Sequence, residues 1–166
     1  MNIEIKKILY ATDLTENSVH AFRHCLDFAK NYNANIVVLH VIEEIRHIPD
    51  VYLSMHISED KHGEIFDIQA KRAKEKIKNR LEELCNQGSK DQSKYKNIVE
   101  SIEICAGYPS DSILQKANDF NCDIILMGTH GKGFMLQTFL GSVAKQVLRR
   151  TKKPVFIIPL PKEQEF

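Results

Sequence analysis

Five short apolar runs recur along the chain, and between them lie segments whose apolar residues repeat at helical spacing; this alternation restricts the fold more than any other feature. The first run, residues 8–11, ends at Thr12 and Asp13, and Val19, Phe22, Leu26 and Ala29 then mark one face of a helix. Residues 35–42 are almost continuously apolar, the pattern of a parallel strand covered on both faces. A surface connection over about residues 44–62 leads to a long helix whose apolar face carries Ile65, Ala73, Ile77, Leu81 and Leu84. Gly88 supplies a helix stop, and a polar loop covers about 88–97. Residues 98–104 alternate only in part, as expected of a strand nearer the sheet edge. Gly107, Tyr108 and Pro109 then turn the chain into a helix with Ile113, Leu114, Ala117 and Phe120. Residues 123–127 form the fourth run, Val143, Ala144, Val147 and Leu148 line the fourth helix, and residues 154–158 form the last strand.

Strands that alternate with helices must pair in parallel, and right-handed crossovers then place helices on both faces. The expected architecture is a single α/β domain over residues 1–166, a three-layer α/β/α fold with a five-stranded parallel sheet in the order 3-2-1-4-5. Ligands of such sheets bind beyond the carboxyl ends of the strands where the order reverses, here between strands one and four. Asp13 and Gly128 are expected to face each other there.

After the fourth run come Gly128, Thr129, His130 and Gly131, followed by Gly141 and Ser142 at the start of a helix. A phosphate needs several converging N–H donors, and side chains at those positions would hold it away, so glycine is favoured where the chain wraps an anion or needs positive φ. Ser142 adds a hydroxyl, and the helix start adds unpaired N–H groups and the positive end of its dipole. Two familiar glycine motifs fail on these residues. Gly131 and Lys132 continue into Gly133, without the hydroxyl residue of a P-loop. A dinucleotide fingerprint begun at Gly131 meets Leu136 where glycine or alanine belongs.

Composition narrows the partners. Lysine and arginine total 23 against 22 acidic residues, so no global field draws the chain to nucleic acid or an anionic membrane. The basic run from Lys71 to Arg80 is interrupted by Glu75 and followed by Glu82 and Glu83, which marks a solvated helix face. Cys25, Cys85, Cys105 and Cys122 are far apart and fit reduced, packed thiols of a cytoplasmic protein. No run approaches the roughly twenty apolar residues of a membrane span, and the first residues lack a signal-peptide pattern. His47, His56 and His62 lack the spacing of a metal template. Asp13, His130 and His40 are the acid–base groups near the expected site, with no second acidic pair, so binding is favoured over turnover.

With these parts placed, the chain resembles the universal stress protein family, and its ATP-binding branch, over essentially its whole length. The family motif G-x2-G-x9-G-[ST] stands as Gly128, Gly131, Gly141 and Ser142, the strand-one aspartate follows Ala11 and Thr12 as Asp13, and the G-x-P helix entry is Gly107 to Pro109. The resemblance implies a Rossmann-like sheet of the adenine nucleotide alpha hydrolase-like kind, binding ATP together with Mg2+. It implies that Asp13, reached through Ala11 and Thr12, binds ribose, that Val41 holds adenine through its backbone, and that Met127 lines the pocket. Gly128, His130, Gly131, Gly141, Ser142 and Val143 would hold the phosphates. It further implies a stress-response regulatory module that pairs as a homodimer through the C-terminal edge strand. Slow ATP hydrolysis or phosphotransfer, and a nucleotide-free interaction protein, are the alternatives. The residues themselves leave Asp13 open between ribose binding and capping the first helix, and Val41 open between ligand contact and core packing. Ala11 departs from the proline of many relatives, and residues 134–139 are unusually apolar for a phosphate loop, as a lid or partner contact would be.

Overall fold

The structure, a computed structural model, describes residues 4–43, 59–87, 97–129 and 140–159. Its elements in chain order are β1 (Lys7–Thr12), α1 (Glu16–Tyr32), β2 (Asn35–Glu43), α2 (Glu59–Gln87), β3 (Val99–Gly107), α3 (Pro109–Asp119), β4 (Ile124–Gly128), α4 (Ser142–Arg150) and β5 (Val155–Ile158). The five strands form one sheet in the order β3-β2-β1-β4-β5, and every pairing is parallel. This is the expected three-layer α/β/α arrangement, with strand three at an edge.

Strand side chains alternate between the two faces, and the sheet is buried on both. On one face Ile8, Tyr10, Ile36, Val38, Ile124 and Leu126 meet Phe22, Cys25, Leu26 and Ala29 of α1 and Ile77 of α2. On the other, Leu9, Val37, Leu39, Ile125 and Met127 meet Ile113 and Ala117 of α3 and Ala144 and Val147 of α4. The central position of β1 explains why Ile8 and Leu9 are wholly covered. Asn33 ends α1 in the left-handed region at φ 53°, a conformation its short polar side chain tolerates. Gly107 ends β3 at φ 143°, and an added Cβ would stand 3.1 Å from Ser112 Oγ, so this helix entry requires glycine. Pro109 follows in the first turn of α3, where its missing N–H is no loss.

Several expectations need correction. Helix α2 starts at Glu59, inside the connection expected to run to residue 62, and Gly63 lies within the helix where an added Cβ would meet nothing within 4 Å. Ile65 of α2 and Leu148 of α4 are 45% and 42% exposed rather than in the core. The 29 residues of α2 span about 43 Å at 1.5 Å per residue, longer than the roughly 30 Å of a nine-residue strand. Its core contacts accordingly come from Ala73, Ile77 and Leu81, toward its later turns. Leu148 follows Val147, which takes the position facing the sheet. Phe120 is the C-cap of α3 rather than a residue within it, and β3 continues to Gly107. Cys25 and Cys122 are buried, Cys105 is half-buried, and all three are reduced. Burial pushes the Cys122 thiol up to about 11 and Cys25 higher still. The remainder of the connection, residues 44–58, the polar loop over 88–96 and the apolar segment 134–139 lie outside the described residues. Among the described residues no helix is long and apolar enough to cross a membrane.

Candidate functional site

Strands β1 and β4 are neighbours although α1, β2, α2, β3 and α3 intervene in the chain, so the sheet order reverses between them. Their register ends with Ala11 opposite Met127. Thr12 and Asp13 on one strand, and Gly128 and Thr129 on the other, therefore leave the sheet at the same switch point.

The turn after β1 is built by side chains. Thr12 Oγ1 accepts the Leu14 amide at 3.1 Å, and Asp13 Oδ1 accepts the Thr15 amide at 3.0 Å and the Thr15 hydroxyl at 2.7 Å. Leu14 between them holds φ at 63°, a left-handed conformation that costs a leucine about 1–2 kcal/mol. Thr15 is the N-cap of α1, with extended backbone and no side-chain cap bond, because its hydroxyl is committed to Asp13. Asp13 thus forms an Asx turn ahead of the helix instead of capping it. Its second oxygen, Oδ2, is buried and has no hydrogen-bond partner among the described residues. Leaving such an acceptor unpaired costs on the order of 1–3 kcal/mol, and more when the group is charged.

The surroundings fix this turn from two sides. From β2, His40 is only 8% exposed and its Nδ1–H donates to the Thr12 carbonyl at 2.8 Å, which commits this ring nitrogen and tautomer to structure. Below, the Tyr10 hydroxyl donates to the Ser18 carbonyl at 2.5 Å, and burial drives that phenol well above its ordinary pKa. Arg80 reaches in from α2 to the Leu14 carbonyl at 2.9 Å and the Ser18 hydroxyl at 3.2 Å.

The segment after β4 is closed by backbone. The Thr129 amide donates to the Ile158 carbonyl at 2.9 Å, and the Gly141 amide donates back to the Thr129 carbonyl at 2.7 Å, bringing both ends of the glycine segment together. Gly141 is the N-cap of α4 at φ −65°, ψ 160°, and no side chain caps that helix. Ser142 opens the helix and is exposed, while Val143 packs against the α3/α4 side of the core. Neither Gly128 nor Gly141 is in the positive-φ region, so turn geometry does not require glycine at either position. His130 and Gly131 lie outside the described residues.

Met127 is 6% exposed and belongs to the core, with Ala11 and Val41 packed against the same cluster. Val41 stands one residue past the β1–β2 ladder, which ends at Thr12 opposite His40, and still pairs with Cys105 of β3. The structure thus brings Ala11, Thr12, Asp13, Met127 and Gly128 to adjacent strand ends and hands Gly141 back to Thr129. Among the described residues no group of three or more His, Cys, Asp or Glu side chains could hold a metal ion. His47 and His56 lie outside them. Arg80, Leu14 and Ser18 escaped the sequence reading. The signal for Arg80 was its spacing, three residues after the buried Ile77 on the stripe begun at Ala73.

A sequence model of the universal stress protein family matches residues 4–159. The chain belongs to the universal stress protein family. Universal stress protein MJ0577 of Methanocaldococcus jannaschii is 33% identical over 163 residues, covering 95% of this chain and 97% of the relative. The stress response protein NhaX of Bacillus subtilis is 26% identical over 162 residues, covering 92% of this chain and 96% of the relative. The solved structure of MJ0577 superposes with a TM-score of 0.74 at 29% identity, covering 96% of this chain and 99% of that one. More distant universal stress protein structures share the fold. One, in complex with cAMP, has a TM-score of 0.55 at 20% identity, covering 94% of this chain and 98% of that one. Another, from Archaeoglobus fulgidus in complex with dAMP, has a TM-score of 0.54 at 16% identity, covering 95% of this chain and 99% of that one.

Proposed function

We propose that this universal stress protein binds ATP, with Mg2+, at the β1/β4 switch point and acts as a nucleotide-dependent regulatory module in the cytoplasm. The observation that carries this reading is the buried, unpartnered Asp13 Oδ2. A carboxylate oxygen with no donor calls for one, and the hydroxyl of a ribose is a donor of the right kind. Oδ1 is already occupied twice by Thr15, so Oδ2 is the oxygen left for the sugar. Val41, past the β1–β2 ladder, has a backbone position suited to an adenine edge, with Ala11, Thr12 and Met127 forming the floor. Neither Gly128 nor Gly141 is at positive φ, and close approach by a ligand is a reason for glycine that does not depend on turn geometry. With His130, Gly131, Ser142 and Val143 they form the phosphate side, at an α4 N-terminus whose first turn carries no acidic residue. Adenine nucleotides in two structures of the same fold agree with this choice.

Calorimetry on the Asp13→Ala variant tests the assignment. ATP affinity is expected to fall roughly ten- to a hundredfold, the worth of charge-assisted hydrogen bonds, and an unchanged affinity rejects the role.

The module is further proposed to be a homodimer through β5. All four residues of this edge strand are only partly buried although all are apolar, and an apolar edge invites strand pairing with a second copy. Light scattering at micromolar concentration is expected to give the dimer mass; a monomer contradicts the proposal.

A further inference from the structure

We propose that Arg80 is a positioning residue of the nucleotide site, holding the turn that aims Asp13 Oδ2; this rests on the ATP-site reading above. Its guanidinium spans two acceptors on either side of Thr15, the Leu14 carbonyl at 2.9 Å and the Ser18 hydroxyl at 3.2 Å. Ser18 Oγ in turn donates to the Thr15 carbonyl at 2.6 Å, and Thr15 holds Asp13 Oδ1 through both its amide and its hydroxyl. One side chain from α2 therefore controls the residue that orients the Asp13 carboxylate.

Two further observations show that the turn needs this hold. Leu14 is the described non-glycine residue outside asparagine with positive φ, and both its backbone polar groups are held by side chains, the amide by Thr12 and the carbonyl by Arg80. A small cavity of about 10 Å³, lined by Tyr10, Thr12, Leu14, Ser18, Ile77 and Arg80 among others, lies beside it. The Leu14 side chain itself is partly buried, packed against the core face that α1 covers. Arginine suits this task because its planar fork reaches two acceptors at fixed spacing, where a lysine ammonium is a single point of charge.

The test is a double-mutant cycle on the full chain, with MgATP affinity read by calorimetry for wild type, Asp13→Ala, Arg80→Met and the double variant. Arg80→Met is expected to weaken binding roughly tenfold, and the double variant to bind no worse than Asp13→Ala alone, since Arg80 acts through Asp13. Losses that multiply in the double variant, as a general loss of stability would give, overturn the proposal. Wild-type affinity in Arg80→Met, with Asp13→Ala weakened, overturns it and leaves the ATP site standing. Wild-type affinity in Asp13→Ala overturns the ATP-site reading itself, and the role of Arg80 with it. Arg80→Lys is expected to fall between wild type and Arg80→Met, and full affinity there overturns the two-point hold. If Arg80→Met does not fold, Ser18→Ala carries the same test by removing one acceptor of the fork; a loss of roughly threefold is expected, and wild-type affinity overturns the proposal.

Discussion

After β1 the chain turns on side chains, with Thr12, Asp13 and Thr15 bonded to backbone and to one another around a left-handed Leu14. After β4 its described ends are joined by backbone, through the Thr129 and Gly141 amides, with Gly141 in a conformation that any residue could adopt. Both segments leave the sheet at the same switch point, so the difference is chemical. The first side spends strain and hydrogen bonds to point one carboxylate oxygen; the second sets glycines, Gly128 and Gly141, at its two described ends. The proposed site takes direction from one segment and room from the other.

Three substitutions sharpen this contrast. The largest effect belongs to the sheet that both segments share. Leu126 is fully buried in β4, and Leu126→Ala is expected to cost about 2–5 kcal/mol in denaturant unfolding and to weaken both sides together. Asp13→Ala should then remove direction while leaving the glycine side intact, with the affinity loss stated above. Gly141→Ser is the converse. Serine is a favoured N-cap and suits φ −65°, so thermal stability should be held or slightly raised while ATP affinity falls roughly tenfold from the lost close approach. A Gly141→Ser protein that binds ATP as well as wild type removes the spatial half of the contrast.

The fold was legible because its signals are local. Short apolar runs at residues 8–11, 35–42 and 123–127 read as strands, the nearly continuous 35–42 as one covered on both faces, and parallel connection rules then place the helices. Asp13 and Gly128 were legible as positions through the switch-point rule. The state of Asp13 was not, since which oxygen is occupied depends on Thr15 and on a side chain 67 residues further along the chain, Arg80. Arg80 read as one charge in a solvated run because charge patterning ignores which helical face a residue takes. Ile65 and Leu148 were misplaced for the opposite reason: periodicity marks apolar residues without knowing whether a sheet lies beneath them. The connection was expected to run to residue 62, just before Gly63, yet on an open helix face glycine costs only about 1 kcal/mol in propensity, and α2 runs through it.

The pairing of β1 with β4 joins Ile8 to Ile124, far apart along the chain. During synthesis β1 can pair with β2 early, and Arg80 emerges in time to secure the turn, but the partner on the other side of the switch point is made only after 123 residues. Until then the nascent chain exposes one edge of a strand whose centre is fully buried in the complete sheet, and closing that gap makes the long-range pairing a late step of folding. The proposed site is thus incomplete until β4 and the start of α4 have been made.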